Sequence, residues 1–143
     1  MGEFLGAARI LGLDKPSFRI SSDVQYFTLV AKGLPVKSLD LISQIIAPHD
    51  SRFKYRIVSK ATAARLKMSQ RLSPAQSVLV TRLASIWDLA LRVWKSPDEA
   101  RDFLFRPHSV LEGKPPIVLV LENEIGADLV RNVLGRLEHG SAV

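Results

Sequence analysis

Apolar residues recur along this chain mostly at helical spacing. Val36, Leu39, Ile42, Ile45 and Ile46 fall at i, i+3, i+6, i+9 and i+10, one face of a helix opened by Leu34-Pro35 and stopped by Pro48. A weaker stripe of Phe4, Leu5, Ala8 and Leu11 predicts a short helix that ends before Pro16. Asp23 stands as the cap of another, carrying Phe27 and Val30 and ending near Gly33. Ser73-Pro74 places a cap before a proline at the first helical position. From there Val78, Leu79, Leu83, Ile86, Trp87, Ala90, Leu91 and Trp94 form one apolar face over about six turns. Ser96-Pro97-Asp98-Glu99 repeats the start signal for a short helix that buries Ala100, Phe103 and Leu104 and ends before Pro107. A final helix is predicted over 122–138, with Ile125, Leu129, Val133, Leu134 and Leu137 inward and Gly140 at its end.

Two segments have mixed patterns. Phe53, Tyr55 and Ile57 alternate with Arg52, Lys54 and Arg56, which taken alone reads as a strand. The run from Ile117 to Leu121 is wholly apolar, and periodicity assigns it to neither strand nor helix. Between them Ser59 offers an N-cap to the helix formers of 60–67, and Gly113-Lys-Pro-Pro116 marks a turn.

Charge divides the chain. Residues 1–95 hold 15 Lys/Arg against 6 Asp/Glu, and residues 96–143 hold 5 against 8, so a net +6 is the sum of +9 and −3. From Ser51 to Trp87 there are eight basic residues (Arg52, Lys54, Arg56, Lys60, Arg65, Lys67, Arg71 and Arg82) and no acidic one. Solvated helix faces usually mix signs because like charges at helical spacing repel. A long cationic stretch without carboxylates therefore reads as a surface for phosphate.

Composition narrows the chemistry. Without cysteine there is no disulfide scaffold, thiolate nucleophile or Cys-ligated zinc, which suits a reducing compartment. Residues 1–13 lack the basic start and long apolar stretch of a signal peptide, and no apolar run reaches a membrane span; a cytoplasmic chain is expected. His49, His108 and His139 lie far apart, in no metal-ligand spacing. Asp98, Glu99 and Asp102, like Glu122 and Glu124, fall in first helical turns, where the helix dipole accounts for them. With no glycine-rich phosphate loop either, neither an enzyme nor a cofactor is expected.

Two binding surfaces remain. Segment 35–68 follows the logic of a helix-turn-helix: a helix, a short connecting element and a cationic alanine-rich helix suited to the major groove. Ala61, Ala63 and Ala64 permit close approach, while Arg52, Lys54, Arg56, Lys60, Thr62, Arg65 and Lys67 supply donors for phosphates or bases. The second surface is the acidic C-terminal part, whose end, from Arg136 through His139 and Gly140 to the apolar tail Ser141-Ala142-Val143, is harder to explain by stability.

The stretch from about 72 to 140 resembles the toxin-binding domain of the Xre/MbcA/ParS antitoxins of bacterial RES–Xre toxin–antitoxin pairs. The resemblance is carried by Leu72-Ser73-Pro74, by Leu91-Arg92-Val93-Trp94, by Asp98-Glu99-Ala100 and by Pro107. It continues through Leu111-Glu-Gly-Lys-Pro-Pro116, Gly126, Val130 and Leu134 to the Arg136-Leu137-Glu138-His139-Gly140 ending. From Gly33 onward the chain looks like the family's Xre-type helix-turn-helix, with Ser59 and Thr62 where the recognition helix opens. It departs from the family in having Ala63-Ala64-Arg65 where paired arginines are common, and Leu121-Glu122 where a threonine or serine often precedes the acidic helix start.

The resemblance implies an all-α chain of three parts. Residues 1–22 would form an N-terminal arm, 23–71 an Xre-like helix-turn-helix DNA-binding region and 72–143 a small helical toxin-binding domain; Ile117–Leu121 then becomes a short buried helical turn. It further implies a non-enzymatic antitoxin that neutralises a RES-domain toxin, one that consumes NAD or transfers ADP-ribose, from the adjacent gene. The end of the chain would block the toxin's pocket through Arg131, Arg136, His139, Gly140, Ser141, Ala142 and Val143. The N-terminal domain would repress the operon, as a homodimer on operator DNA. An acidic domain suits a pocket built to hold a pyrophosphate. The competing expectation is a stand-alone helix-turn-helix regulator whose C-terminal half dimerises or senses a ligand.

Overall fold

The computed structural model describes residues 4–18 and 20–140. Within them the chain forms eight α-helices and no strand: α1 (Leu5–Ile10), α2 (Asp23–Lys32), α3 (Lys37–Ile46), α4 (Lys60–Leu66), α5 (Pro74–Trp94), α6 (Pro97–Phe105), α7 (Pro116–Glu122) and α8 (Glu124–Glu138). Two single 3-10 turns, Phe53–Arg56 and Ser109–Leu111, complete it. The all-helical expectation holds, and the helical alternative for Ile117–Leu121 is the one adopted. The chain divides into a unit up to Ser85 and a unit from Ile86, the division falling within α5.

The first unit is organised around α2 and the N-terminal half of α5. Ser22, not Asp23, caps α2, accepting the Gln25 N–H at 3.2 Å, while Asp23 Oδ1 accepts the Phe4 N–H at 2.9 Å. The side of α2 that turns inward also differs from the sequence expectation. Tyr26 is buried and stacked on Phe4, its hydroxyl bonded to Thr81 at 2.7 Å, whereas Phe27 is exposed. A phenol that finds both a ring and a hydroxyl partner is buried without an orphaned polar group, so Tyr26 rather than Phe27 sets the rotation.

Residues 33–36 and 70–72 run side by side: the Leu72 N–H donates to Leu34 O at 2.8 Å and the Val36 N–H to Gln70 O at 3.2 Å. Gly33 makes this approach possible. Its φ is +102°, and a Cβ there would stand 2.0 Å from Leu72 O. Arg71 reaches back to donate to Gly33 O at 3.0 Å, and Ser77 Oγ accepts the buried Leu34 N–H at 2.8 Å. The α3 stripe packs as its spacing predicts, with Leu39, Ile42 and Ile46 buried. The alternating segment 51–58 is not a strand. Phe53 is fully buried and Tyr55 exposed, so the chain makes one tight turn around the phenylalanine.

In the second unit the C-terminal half of α5 meets α6 and α8, and α7 packs on α6 and α8. Trp94 packs on Phe103 at 5.8 Å and Phe103 on His108 at 4.9 Å, and the His108 ring nitrogen Nε2 bonds Phe103 O at 3.0 Å. Arg92 on α5 pairs with Glu138 on α8 at 2.7 Å. The last helix is not continuous from 122. Asn123 takes an extended backbone that ends α7, and its side chain caps α8 by accepting the Gly126 N–H at 2.9 Å. Ile125 and Leu129, expected inward, are 73% and 46% exposed. The cause is the closest point between α7 and α8, where a Cβ on Gly126 would lie 2.1 Å from Leu119 O. Backbones approach that closely only where the side chain is absent, so Gly126 and Ala127 face α7, and Val130, Val133 and Leu134 follow them inward.

Candidate functional site

The basic surface of the first unit is built on α4 and the turn before it. Ser59 Oγ accepts the Thr62 N–H at 3.1 Å and donates to Thr62 Oγ1 at 2.9 Å, so the cap read from the sequence is in place. The same threonine hydroxyl accepts from Arg65 at 3.1 Å, which orients the guanidinium along the outer face of the helix. Ala63 and Leu66 are the buried positions of α4; Lys60, Ala61, Ala64 and Arg65 are exposed. The link from the 3-10 turn to α4 is residues 57–59, three residues long.

Tyr55 organises the cations before the helix. Lys54 Nζ lies 5.7 Å from its ring centroid and Lys60 Nζ 5.5 Å, while the Arg56 guanidinium lies 5.7 Å from the Phe53 ring. Lys54 also pairs with Asp40 of α3 at 3.3 Å. Of the seven residues expected to contact DNA, Arg52, Arg56, Lys60, Arg65 and Lys67 are exposed, and Lys54 and Thr62 are half-buried. The structure thus gathers them on one short stretch, with Lys54 and Thr62 drawn into its internal bonds. Arg71, in the same carboxylate-free run, is committed to the backbone of Gly33. The first unit carries 13 Lys/Arg against 5 Asp/Glu and the second 7 against 9, so the asymmetry of charge follows the division of the fold.

On α8 the candidate residues separate. Arg131 is half-buried and bridges two carboxylates, Glu124 and Asp128, each at 2.6 Å. Burial works against its charge, but the hydrogen bonds and attraction of Glu124 and Asp128 prevail, holding the guanidinium above its ordinary pKa. Arg136 and His139 are exposed near the helix end. Gly140 follows with a φ of +77°, and Ser141, Ala142 and Val143 lie outside the described residues. At 100° per residue, Ile125, Leu129, Asn132 and Arg136 share one outward stripe of α8, on a different flank from Arg131. The sequence reading missed Ile125 and Leu129 as surface residues. The helix alone gave no signal, because its two glycines, Gly126 and Gly135, lie on opposite sides, and only the close approach of Leu119 to Gly126 decides which is buried.

Among the described residues no group of three His, Cys, Asp or Glu side chains is placed to hold a metal ion, and no helix is long and apolar enough to cross a membrane. No curated protein matches the chain significantly. A family model does match, over residues 89–140: the antitoxin Xre/MbcA/ParS C-terminal toxin-binding domain. That domain family is not an enzyme family, and its description implies a toxin as partner. The matched segment runs from the last turns of α5 through the α7–α8 corner to Gly140, and this part of the chain is similar to the toxin-binding domain of the Xre/MbcA/ParS antitoxins.

Proposed function

We propose that the chain is the antitoxin of a type II toxin–antitoxin pair. It binds a RES-domain toxin that consumes NAD or transfers ADP-ribose, and neutralises it by placing the end of α8 and the tail beyond it in the active site. The domain match over 89–140 carries this reading. Arg136 and His139 are exposed at the end of α8, where a partner can reach them. Arg131 serves by fixing the first turns of α8 through Glu124 and Asp128.

The first unit binds operator DNA and represses the operon in the cytoplasm, as a homodimer matched to a palindromic site. Support comes from the capped α4, the three-residue link before it and five exposed cations with Thr62 and Arg65 bonded along the helix. Lys60 and Arg65 sit on the exposed face suited to base edges, and Arg52, Arg56 and Lys67 to phosphates.

Co-expression with the adjacent reading frame tests the whole. The full chain copurifies with a RES-domain product and restores growth, and a chain ending at Gly140 still binds operator DNA but protects less. Full protection by the shortened chain overturns the plug, and the absence of any toxic neighbour favours a stand-alone regulator. Lys60→Ala and Arg65→Ala each weaken operator binding by about 1–3 kcal/mol where the contact is bidentate to a base; unchanged affinity of both, in a binding titration at fixed salt, refutes α4 as the reading helix.

A further inference from the structure

Between Ser51 and Ile86 the aromatic residues are Phe53 and Tyr55. Phe53 is fully buried and anchors the 3-10 turn, while Tyr55, two residues on, is turned to solvent. The Tyr55 N–H donates to Arg52 O at 2.9 Å, which fixes the backbone that carries the ring.

Two ammoniums lie against this ring, on unequal terms. Lys54, half-buried, pairs with Asp40 at 3.3 Å, so its charge is answered within the fold. Lys60 Nζ lies 5.5 Å from the ring centroid and meets no carboxylate among the described residues. Its backbone is held as well, since Lys60 is the first residue of α4, directly after the Ser59 cap. A lysine is a hydrated point charge on a flexible four-carbon stem, and engaging a polyanion ordinarily costs it rotamer freedom. A carboxylate would restrain that stem but cancel its charge. The face of a tyrosine attracts the ammonium and leaves the charge whole. Around this pair Arg52, Arg56, Arg65 and Lys67 are exposed, and no acidic residue stands between Ser51 and Trp87.

We propose that Tyr55 is a positioning residue of the DNA-binding surface, its ring holding the Lys60 ammonium ready, at full charge, for duplex DNA. The proposal rests on the DNA-binding reading of the first unit given above. It adds a residue that needs no contact of its own with the nucleic acid. Because Tyr55 carries no charge, replacing it leaves the number of cations unchanged. Binding then weakens while its salt dependence, set by the phosphates neutralised, stays as it was. A tyrosine that merely braced the turn would behave differently: loosening the turn takes several cations off the DNA and flattens the salt slope.

The test is a binding titration of the full chain, over a salt series, on a duplex of the DNA upstream of its own reading frame. Tyr55→Phe binds like wild type, because the ring is kept. Tyr55→Leu binds about two- to fivefold more weakly, the loss of one exposed cation–π contact, with an unchanged salt slope and circular-dichroism spectrum. In a Lys60→Ala background Tyr55→Leu costs nothing further. The contact itself is read without DNA: the Lys60 Cε protons are shifted upfield by the ring current in wild type and Tyr55→Phe, and return in Tyr55→Leu. If Tyr55→Leu fails to fold, Tyr55→Gln takes its place. Wild-type affinity in Tyr55→Leu, a loss that persists in full beside Lys60→Ala, a flattened salt slope, or no ring-current shift in the wild-type chain overturns the proposal. A wild-type chain that shows the shift but binds no DNA at low salt removes instead the DNA-binding reading, and the proposal with it.

Discussion

At Gly126 the volume that a side chain would take is already filled by the backbone of α7. A Cβ at 2.1 Å from Leu119 O and 2.7 Å from its carbonyl carbon meets main chain, which cannot rotate away. Gly126→Ala therefore forces α7 and α8 apart, and overpacking of this kind costs about 1–3 kcal/mol. The expected result is a lower thermal midpoint and weaker toxin binding, whereas Gly135→Ala, where no neighbour lies within 4 Å, is tolerated. Tyr26 gives a second residue-level prediction. Burial pushes its phenol from 10.0 up to about 12, against the opposing pull of the Thr81 hydrogen bond. The folded chain thus favours the neutral phenol more than the unfolded chain does. This contribution is complete below pH 10 and is lost as pH rises through about 12. Urea unfolding at a series of alkaline pH values should show wild type losing stability over that window more steeply than Tyr26→Phe.

The starts of α4, α5 and α6 were legible in the sequence because capping is local. Ser59 and Ser96 each accept the N–H three residues on, and Ser73 with Gln76 forms a reciprocal box, its hydroxyl accepting the Gln76 N–H and Gln76 Oε1 accepting its own. Ser59→Ala should destabilise α4 by about 0.5–2 kcal/mol. It should also release Thr62 and with it the orientation of Arg65, so that operator affinity falls further than the loss of folded protein explains. Helix rotation was less legible. On α2 and α8 two apolar sides compete in the sequence, Tyr26 against Phe27 and Val130 against Ile125 and Leu129. The choice was made by long-range features, a hydroxyl partner at Thr81 and a glycine against Leu119. The strand-like alternation at 51–58 failed for a related reason: a single buried ring, Phe53, outweighs period-two patterning when no neighbouring strand is there to pair. The resemblance to the antitoxin family was legible as an ordered set of residues between 72 and 140, and the family model matches 89–140 of that span.

Across the whole molecule, the basic and acidic residues are sorted between the units, so salt should separate the two proposed activities. Operator affinity should fall steeply with ionic strength, and Lys67→Ala should weaken binding to all sequences alike while lowering the salt slope by about 1. Toxin binding through the acidic second unit, where Ile125 and Leu129 also expose apolar surface, should fall less over the same range. The two units also share an element, since α5 runs unbroken from Pro74 to Trp94 while the chain divides after Ser85. The family match begins inside that helix, at residue 89. No junction between 74 and 94 yields a whole domain on either side, because each cut leaves one part with a fraction of its core helix. A join on either side of α5 fares no better, since Ser77 and Thr81 bond into the first unit and Arg92 into the second. A chimera of two relatives therefore needs a helix that suits both units, and neither unit is inherited independently of it.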